Sequence, residues 1–148
     1  MDVGTARALF GKQFIGPEEL ARIAPKLGIA VPAHVPEIHF SEDMLKEHAR
    51  DFLLVLGVSS MADGMPLTIN NLRSFLGTDS AVREPCMYNQ DWYINEDFAS
   101  KTALESRWHL IRKNVLEDAR AKRPEDIEMN FAGGEHFPAA VTCTFIFF

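Results

Sequence analysis

Hydrophobic residues recur at helical spacing in the first half of the chain, beginning with the segment 17–27. Pro17 suits the first position of a helix, because the backbone N–H that proline lacks would be unpaired there. Leu20 and Ile23 would share one face of this helix. Gly28 stands where a glycine commonly ends a helix. These residues predict a short amphipathic helix.

Two further helices are predicted by N-cap residues that precede apolar positions. Ser41 precedes the segment 42–49, and Thr68 precedes the segment 69–76. A hydroxyl side chain at such a place accepts a hydrogen bond from a backbone N–H of the first turn. The intervening segment 29–40 carries two prolines, which favour an extended connector.

Two segments have the pattern of β-strands. The segment 51–58, DFLLVLGV, is an apolar run without polar alternation, which is typical of a central strand buried on both faces. In AAVTCTFIFF at 139–148, apolar residues alternate with threonines, which is typical of a strand with one buried face. A further strand is expected within 1–15 or within 78–94, where we place it near Trp92.

The segment 96–122 has the signals of one long helix. Asn95 can cap its start, acidic residues fall in its first turn, basic residues fall in its last turn, and Pro124 would end it. Its apolar residues form a single stripe, comprising Phe98, Leu104, Trp108, Ile111, Val115 and Ala119. We therefore expect a helix whose apolar face covers the sheet.

These elements predict a single α+β domain over residues 1–148. Its small sheet would include the strands near 51–58 and 139–148, packed by the long helix and by the shorter helices. The final strand is strongly apolar. Either it is buried, or a second chain covers it, or the natural product continues past Phe148.

Composition and charge narrow the function classes. The chain has 148 residues, of which 47% are hydrophobic and 24% are charged, so it should fold around its own core. The formal net charge of -6, concentrated in residues 51–100, disfavours general binding to nucleic acid or to anionic membranes. No secretory signal or membrane-spanning run is present, and Cys86 and Cys143 match no disulfide framework or zinc pattern. We expect a cytoplasmic protein without a cofactor.

Three stretches carry a resemblance to a known group of proteins. They are WYINEDFASKTALESRWHLIRKNVLEDAR at 92–120, FIGPEEL at 14–20 and LTINNLRSFLG at 67–77. Together they resemble a family of bacterial proteins that has no assigned activity. The resemblance implies a bacterial cytoplasmic protein whose relatives extend past this C-terminus, and it implies no site residues.

Three histidines are candidate metal ligands. His34, His39 and His48, with Asp43 and Glu47 nearby, offer imidazole and carboxylate groups that suit zinc or another divalent ion. Their spacing matches no established zinc motif, so solvated surface histidines are the alternative.

The loop after the predicted central strand offers a second kind of site. Its sequence GVSSM is similar to the nucleophile elbow of serine hydrolases, but a methionine stands where the second glycine is required. Ser59, Ser60 and Asp63 also lead into the helix that Thr68 begins, a place where backbone N–H groups can bind an anion. Ordinary turn and cap hydrogen bonds are the alternative.

A basic and aromatic patch is the third candidate. Arg107, Arg112 and Lys113 on the predicted long helix, with Trp92 and Tyr93 upstream, could bind single-stranded nucleic acid through charge and stacking. The acidic net charge counts against this hypothesis.

No catalytic signature is complete, so we expect a non-catalytic protein-interaction module. Its partner would be another protein, or a second copy of the chain, bound through the C-terminal strand. The alternatives are a metal-dependent or hydrolytic enzyme using the region of His34, His39 and His48, and a nucleic-acid binder using the basic face of the helix 96–122.

Overall fold

The structure, a computed structural model, describes residues 1–131 and 133–148 and has the α+β class expected. Its α-helices are α1 Val3–Phe10, α2 Pro17–Leu27, α3 Glu42–His48, α4 Ile69–Leu76, α5 Asp97–Ser100, α6 Pro124–Glu128 and α7 Ala140–Phe147. Its strands are β1 Phe14–Ile15, β2 Phe52–Leu56 and β3 Trp108–Arg112. Short 3₁₀ turns lie at Gly11–Gln13 and Glu117–Ala119.

The sheet has the strand order β1-β2-β3, so β2 is central as predicted. It pairs in parallel with β1, where Leu54 is opposite Phe14, and antiparallel with β3, where Leu54 is opposite Leu110. Four of its residues are buried, at Phe52, Leu54, Val55 and Leu56. A strand covered on both faces needs this continuous apolar sequence.

The helices predicted at 17–27, 42–49 and 69–76 are confirmed as α2, α3 and α4. The side chain of Ser41 accepts a hydrogen bond from the Met44 N–H at 3.2 Å, and Thr68 Oγ1 accepts one from the Asn71 N–H at 3.1 Å. Each bond satisfies a backbone donor that the first turn of a helix leaves free.

The long helix predicted at 96–122 is wrong. Its start forms only the single turn of α5, its middle forms β3, and its end contains the 3₁₀ turn Glu117–Ala119. Helix preference is worth only a few tenths of a kcal/mol per residue, at about 0–0.7 kcal/mol. Pairing with β2 bonds the backbone of β3 and buries Trp108, and this tertiary gain exceeds the local preference.

The strand predicted at 139–148 is also wrong, because this segment forms α7. A strand needs a neighbouring strand for its backbone hydrogen bonds, whereas a helix bonds its own backbone. Helix α7 packs against α4 and α5 and buries Val141, Thr142 and Phe145. The segment through which a partner was expected to bind is therefore a helix and not a strand.

The strand expected within 1–15 is found as β1, which follows the unpredicted helix α1. In the segment 78–94, all of which the structure describes, the residues near Trp92 form turns and no strand. Helix α6 lies between the segments 96–122 and 139–148 and was not predicted either.

Trp108 is part of the buried core, although its segment forms a strand and not the predicted helix. Its side chain is buried, its ring centroid lies 5.3 Å from that of Phe14, and its Nε1–H donates to the Pro36 carbonyl at 2.8 Å. At the end of β2, the Gly57 N–H donates to the Arg107 carbonyl at 2.8 Å. A Cβ at Gly57 would collide with the Glu105 carbonyl oxygen, so this approach requires glycine.

Helix α4 is fixed by contacts with α2, α5 and α7. Its residues Ile69, Leu72 and Leu76 are buried. Asn70, Arg73 and Ser74 therefore share its outer side, since residues three and four apart lie on one face of a helix. Among the described residues, no helix has both the length and the apolar character needed to cross a membrane.

Candidate functional site

The structure does not bring the candidate metal ligands together. His34 and His39 are exposed, and the rings of His39 and His48 lie against Phe40 and Phe52, at 4.1 Å and 4.6 Å between centroids. Across residues 1–131 and 133–148, no group of three or more His, Cys, Asp or Glu side chains could hold a metal ion.

The loop of Ser59, Ser60 and Asp63 bonds to the chain itself. The carbonyls of Ser59 and Ser60 accept from the backbone N–H groups of Leu67 and Ala30, at 2.9 Å and 3.0 Å. Asp63 Oδ1 accepts from the Met65 N–H at 3.0 Å. The hydroxyl of Thr68 caps α4, as described above. The bonds of Asp63 and Thr68 are turn and cap hydrogen bonds, and those of Ser59 and Ser60 hold the loop to other segments of the chain.

The predicted basic and aromatic patch is divided between different partners. Arg112 pairs with Glu135 at 2.5 Å and its Cζ lies 4.6 Å from the Phe52 ring centroid. Arg107 pairs with Glu105 at 2.9 Å, and Lys113 is exposed just after β3. Trp92 and Tyr93 instead belong to an aromatic cluster near α4, which is described below.

Both cysteines are free thiols, and burial raises the pKa of each. The carboxylates of Glu84 and Asp79 raise the pKa of Cys86 further. Both thiols are therefore held in the neutral form, which is a poor nucleophile.

An open cleft of about 520 Å³ lies between α4, with the two residues that follow it, and the end of the segment 91–95. The lining is mostly polar and comprises Asn70, Arg73, Ser74, Gly77, Thr78, Ile94 and Asn95. Two side-chain bonds hold the segment against the helix. Asn70 Nδ2 donates to the Ile94 carbonyl at 2.7 Å, and Arg73 Nη2 donates to Asp91 Oδ1 at 2.6 Å.

Arg73 is the charged group of this cleft. Its side chain is 20% exposed, while that of its partner Asp91 is 71% exposed. Its Cζ lies 5.9 Å from the ring centroid of Tyr93, which places the cation over the aromatic face. In the described part of the chain, the buried atoms Arg73 Nε and Asn70 Oδ1 have no hydrogen-bond partner.

An aromatic cluster of Trp92, Tyr93 and Phe98 adjoins this cleft. The ring centroid of Trp92 lies 5.5 Å from that of Tyr93, edge to face, and 6.2 Å from that of Phe98. Trp92 is nevertheless 73% exposed, and Tyr88 in the same loop is 87% exposed. These are large apolar surfaces left in water next to a polar cleft.

Sequence reasoning identified Trp92 and Tyr93 but missed Asn70, Arg73 and Asp91. For Asn70 and Arg73 one signal was available, because these residues stand three apart on a correctly predicted amphipathic helix. No sequence signal places Asp91 beside them, since that contact joins residues eighteen apart through a loop.

Comparison of the chain with protein-family models, with curated proteins and with solved structures finds no match. The resemblance to a family of bacterial proteins therefore stays a prediction.

Proposed function

We propose that the protein is a non-catalytic interaction module and that the cleft beside α4 binds a segment of a partner protein. The observation that carries this proposal is the 73% exposure of Trp92 within a cluster of contacting aromatic rings. The few residues that dominate the binding energy of protein interfaces are enriched in Trp, Tyr and Arg. The aromatic cluster and Arg73 place all three residue types side by side.

The polar lining of the cleft favours a protein segment over a small organic ligand. Sites for small ligands are mostly apolar and enclose most of the ligand surface. Here Ile94 is the apolar side chain among amides, hydroxyls and Arg73, and the cleft is open to solvent. Protein interfaces combine apolar anchors with a polar rim in this way.

Nucleic acid has less support as the partner. Binding of single strands combines stacked aromatic rings with a positively charged groove. The aromatic cluster borders Arg73, whose charge is countered by Asp91, and Arg107 and Arg112 are each paired with a glutamate. The net charge of -6 adds repulsion.

A peptide-display experiment tests this function. The purified chain would select binders from a library of random peptides, and isothermal titration would measure the affinity of the selected peptides. We expect Trp92→Ala to weaken binding by about 30-fold or more, which corresponds to the loss of about 2 kcal/mol typical of an interface hot spot.

Val115→Ala provides the matched control. Val115 is another exposed apolar residue, and it belongs neither to the cleft lining nor to the aromatic cluster of Trp92, Tyr93 and Phe98. The control should bind with the wild-type affinity. Equal affinities for the two variants, or a library that yields no binder, would contradict the proposed function.

A further inference from the structure

The guanidinium of Arg73 is only half engaged by its partner. An arginine side chain presents an edge, formed by Nε–H and one terminal nitrogen, that matches the two oxygens of a carboxylate. In Arg73, Nη2 on this edge donates to Asp91 Oδ1 at 2.6 Å. Within residues 1–131 and 133–148, the buried Nε has no partner. Asp91 therefore leaves one of the two donors of the edge unused.

Asn70 adds a free acceptor on the same side of α4. Its Nδ2 donates to the Ile94 carbonyl at 2.7 Å, and this bond fixes which atom of the amide is the oxygen. The buried Oδ1 is then left without a donor anywhere in the described residues. A ligand that satisfies the cleft must supply carboxylate oxygens for Arg73 and an N–H group for Asn70.

An acidic residue within a peptide carries both groups. Its side-chain carboxylate fits the arginine edge, and its backbone supplies an N–H donor. Asp91 is itself a carboxylate on a peptide backbone, bound to this edge through a single oxygen atom. Because its side chain is 71% exposed, few contacts hold it in this place.

We propose that the Arg73 edge recognises a carboxylate of an acidic segment in the partner protein, and that Asp91 is an internal competitor which that carboxylate displaces. This inference rests on the proposed function. It implies that the affinity of the cleft for acidic peptides is limited by Asp91.

The test uses the full chain with acetyl-tetraglutamate as the probe, and acetyl-tetraglutamine as its uncharged counterpart. The Arg73 Nε–H resonance is followed by NMR during each titration. In the wild type, we expect acetyl-tetraglutamate to shift this resonance to saturation and acetyl-tetraglutamine to leave it unchanged. Asp91→Asn should bind the acidic peptide at least about tenfold more tightly, because the competing charge is removed.

Two variants control the experiment. Glu117→Gln removes the same charge from an exposed residue that pairs with Arg120 and not with Arg73, and it should leave the affinity unchanged. Arg73→Lys keeps the positive charge but lacks the two-donor edge, so it should abolish the gain when combined with Asp91→Asn. Because lysine has no Nε–H resonance, isothermal titration measures the affinity of this variant and, for comparison, of the others. Thermal melts of each variant establish that it is folded.

Three results would overturn the inference. The first is an affinity of Asp91→Asn for the acidic peptide that is no higher than that of Glu117→Gln. The second is an undiminished gain in affinity when Arg73→Lys is combined with Asp91→Asn. The third is saturation of the Arg73 resonance by inorganic phosphate but not by the acidic peptide. If peptides selected from a library depend on Trp92 but are not acidic, and Asp91→Asn leaves their affinity unchanged, this inference fails while the proposed function stands. If no peptide of any charge binds, both fail.

Discussion

At the C-terminal end of α4, Arg83 is bonded to main-chain carbonyls, whereas on the outer face of the same helix Arg73 is bonded to an exposed carboxylate. The guanidinium of Arg83 donates to the carbonyls of Phe75 and Lys26 at 3.0 Å and 3.4 Å, and its Cζ lies 4.1 Å from the Phe75 ring centroid. It thus ties the ends of α2 and α4 together. Main-chain carbonyls cannot leave without unfolding a helix end, but a side-chain carboxylate can rotate away. The comparison separates an arginine that holds the fold from one that is available to a ligand.

Gly28→Ala should have the largest effect on the Arg83 side of α4. Gly28 has φ of 65°, and a Cβ there would lie 2.5 Å from Phe75 Cδ2. Backbone strain and overpacking together should lower the free energy of unfolding by about 2–4 kcal/mol. Urea denaturation measures this loss.

Gly64→Ala is the control for the backbone alone. Gly64 has φ of 87°, and an added Cβ would meet nothing within 4 Å. Its substitution should cost only about 1–2 kcal/mol. Equal losses of unfolding free energy for Gly28→Ala and Gly64→Ala would show that Phe75 is not held against α2. The structural role proposed for the contact between α2 and the end of α4 would then be disproved.

Arg83→Met and Arg73→Met test the comparison directly. Methionine keeps an apolar stem but removes every donor. Loss of the two carbonyl bonds and of the ring contact should cost Arg83→Met about 1–2 kcal/mol. Arg73→Met removes one ion pair with an exposed carboxylate and the longer ring contact with Tyr93, but it also removes an unpaired buried nitrogen, so its unfolding free energy should change by about 0.5 kcal/mol or less. A reversed order in urea denaturation would contradict the comparison.

The part of the fold around α2 and α4 could be predicted because its signals are local. Pro17, Ser41 and Thr68 act within one turn of their own helices, and Gly28 ends α2 in the left-handed conformation. The central strand β2 was equally clear from its continuous apolar run. Such signals do not depend on the rest of the chain.

The C-terminal half could not be predicted in the same way. In WHLIR at 108–112, both a helical stripe and a strand fit the apolar positions, and pairing with β2 decides between them. The segment 139–148 is rich in β-branched and aromatic residues, yet it packs as a helix on α4 and α5. The cleft depends on the same long-range contacts, because Asp91 and Ile94 reach α4 only through the folded loop.

His109 provides a further buried polar atom, besides Arg73 Nε and Asn70 Oδ1, in a place where no ligand is expected. Its Nε2 is buried without a partner among the described residues, at the pairing of β2 and β3. Burial lowers the pKa of His109 and the charge of Arg107 lowers it further, whereas the backbone carbonyl and the carboxylate of Glu105 raise it, and His39 has the smallest effect, a lowering. The folded protein therefore binds fewer protons at this site than the unfolded chain, whose histidines titrate near about pH 6.5.

The contribution of neutral His109 to the free energy of unfolding should be fully present above about pH 6.5 and should decrease as the pH falls below that value. Thermal melts between about pH 7.5 and about pH 5 should show this decrease in the wild type, and a smaller one in His109→Gln. His136→Gln, which changes an exposed histidine, should behave as the wild type. Identical pH dependence in all three proteins would contradict the prediction. The effect should leave peptide binding at the Arg73 cleft intact at neutral pH.

Asp91→Asn should have the smallest effect on stability, and that is what its role as a displaceable competitor requires. The amide oxygen of asparagine can still accept from Arg73 Nη2, and the pair is exposed on its carboxylate side. The free energy of unfolding should therefore fall by about 0.5 kcal/mol or less, and the difference should vanish near about 1 M salt, where the screening length is about 3 Å. A loss as large as that of Arg83→Met would mean that Asp91 holds the fold as firmly as the carbonyls of Phe75 and Lys26 do. The two arginines would then be equivalent, and a partner's carboxylate would have no loosely held group to displace.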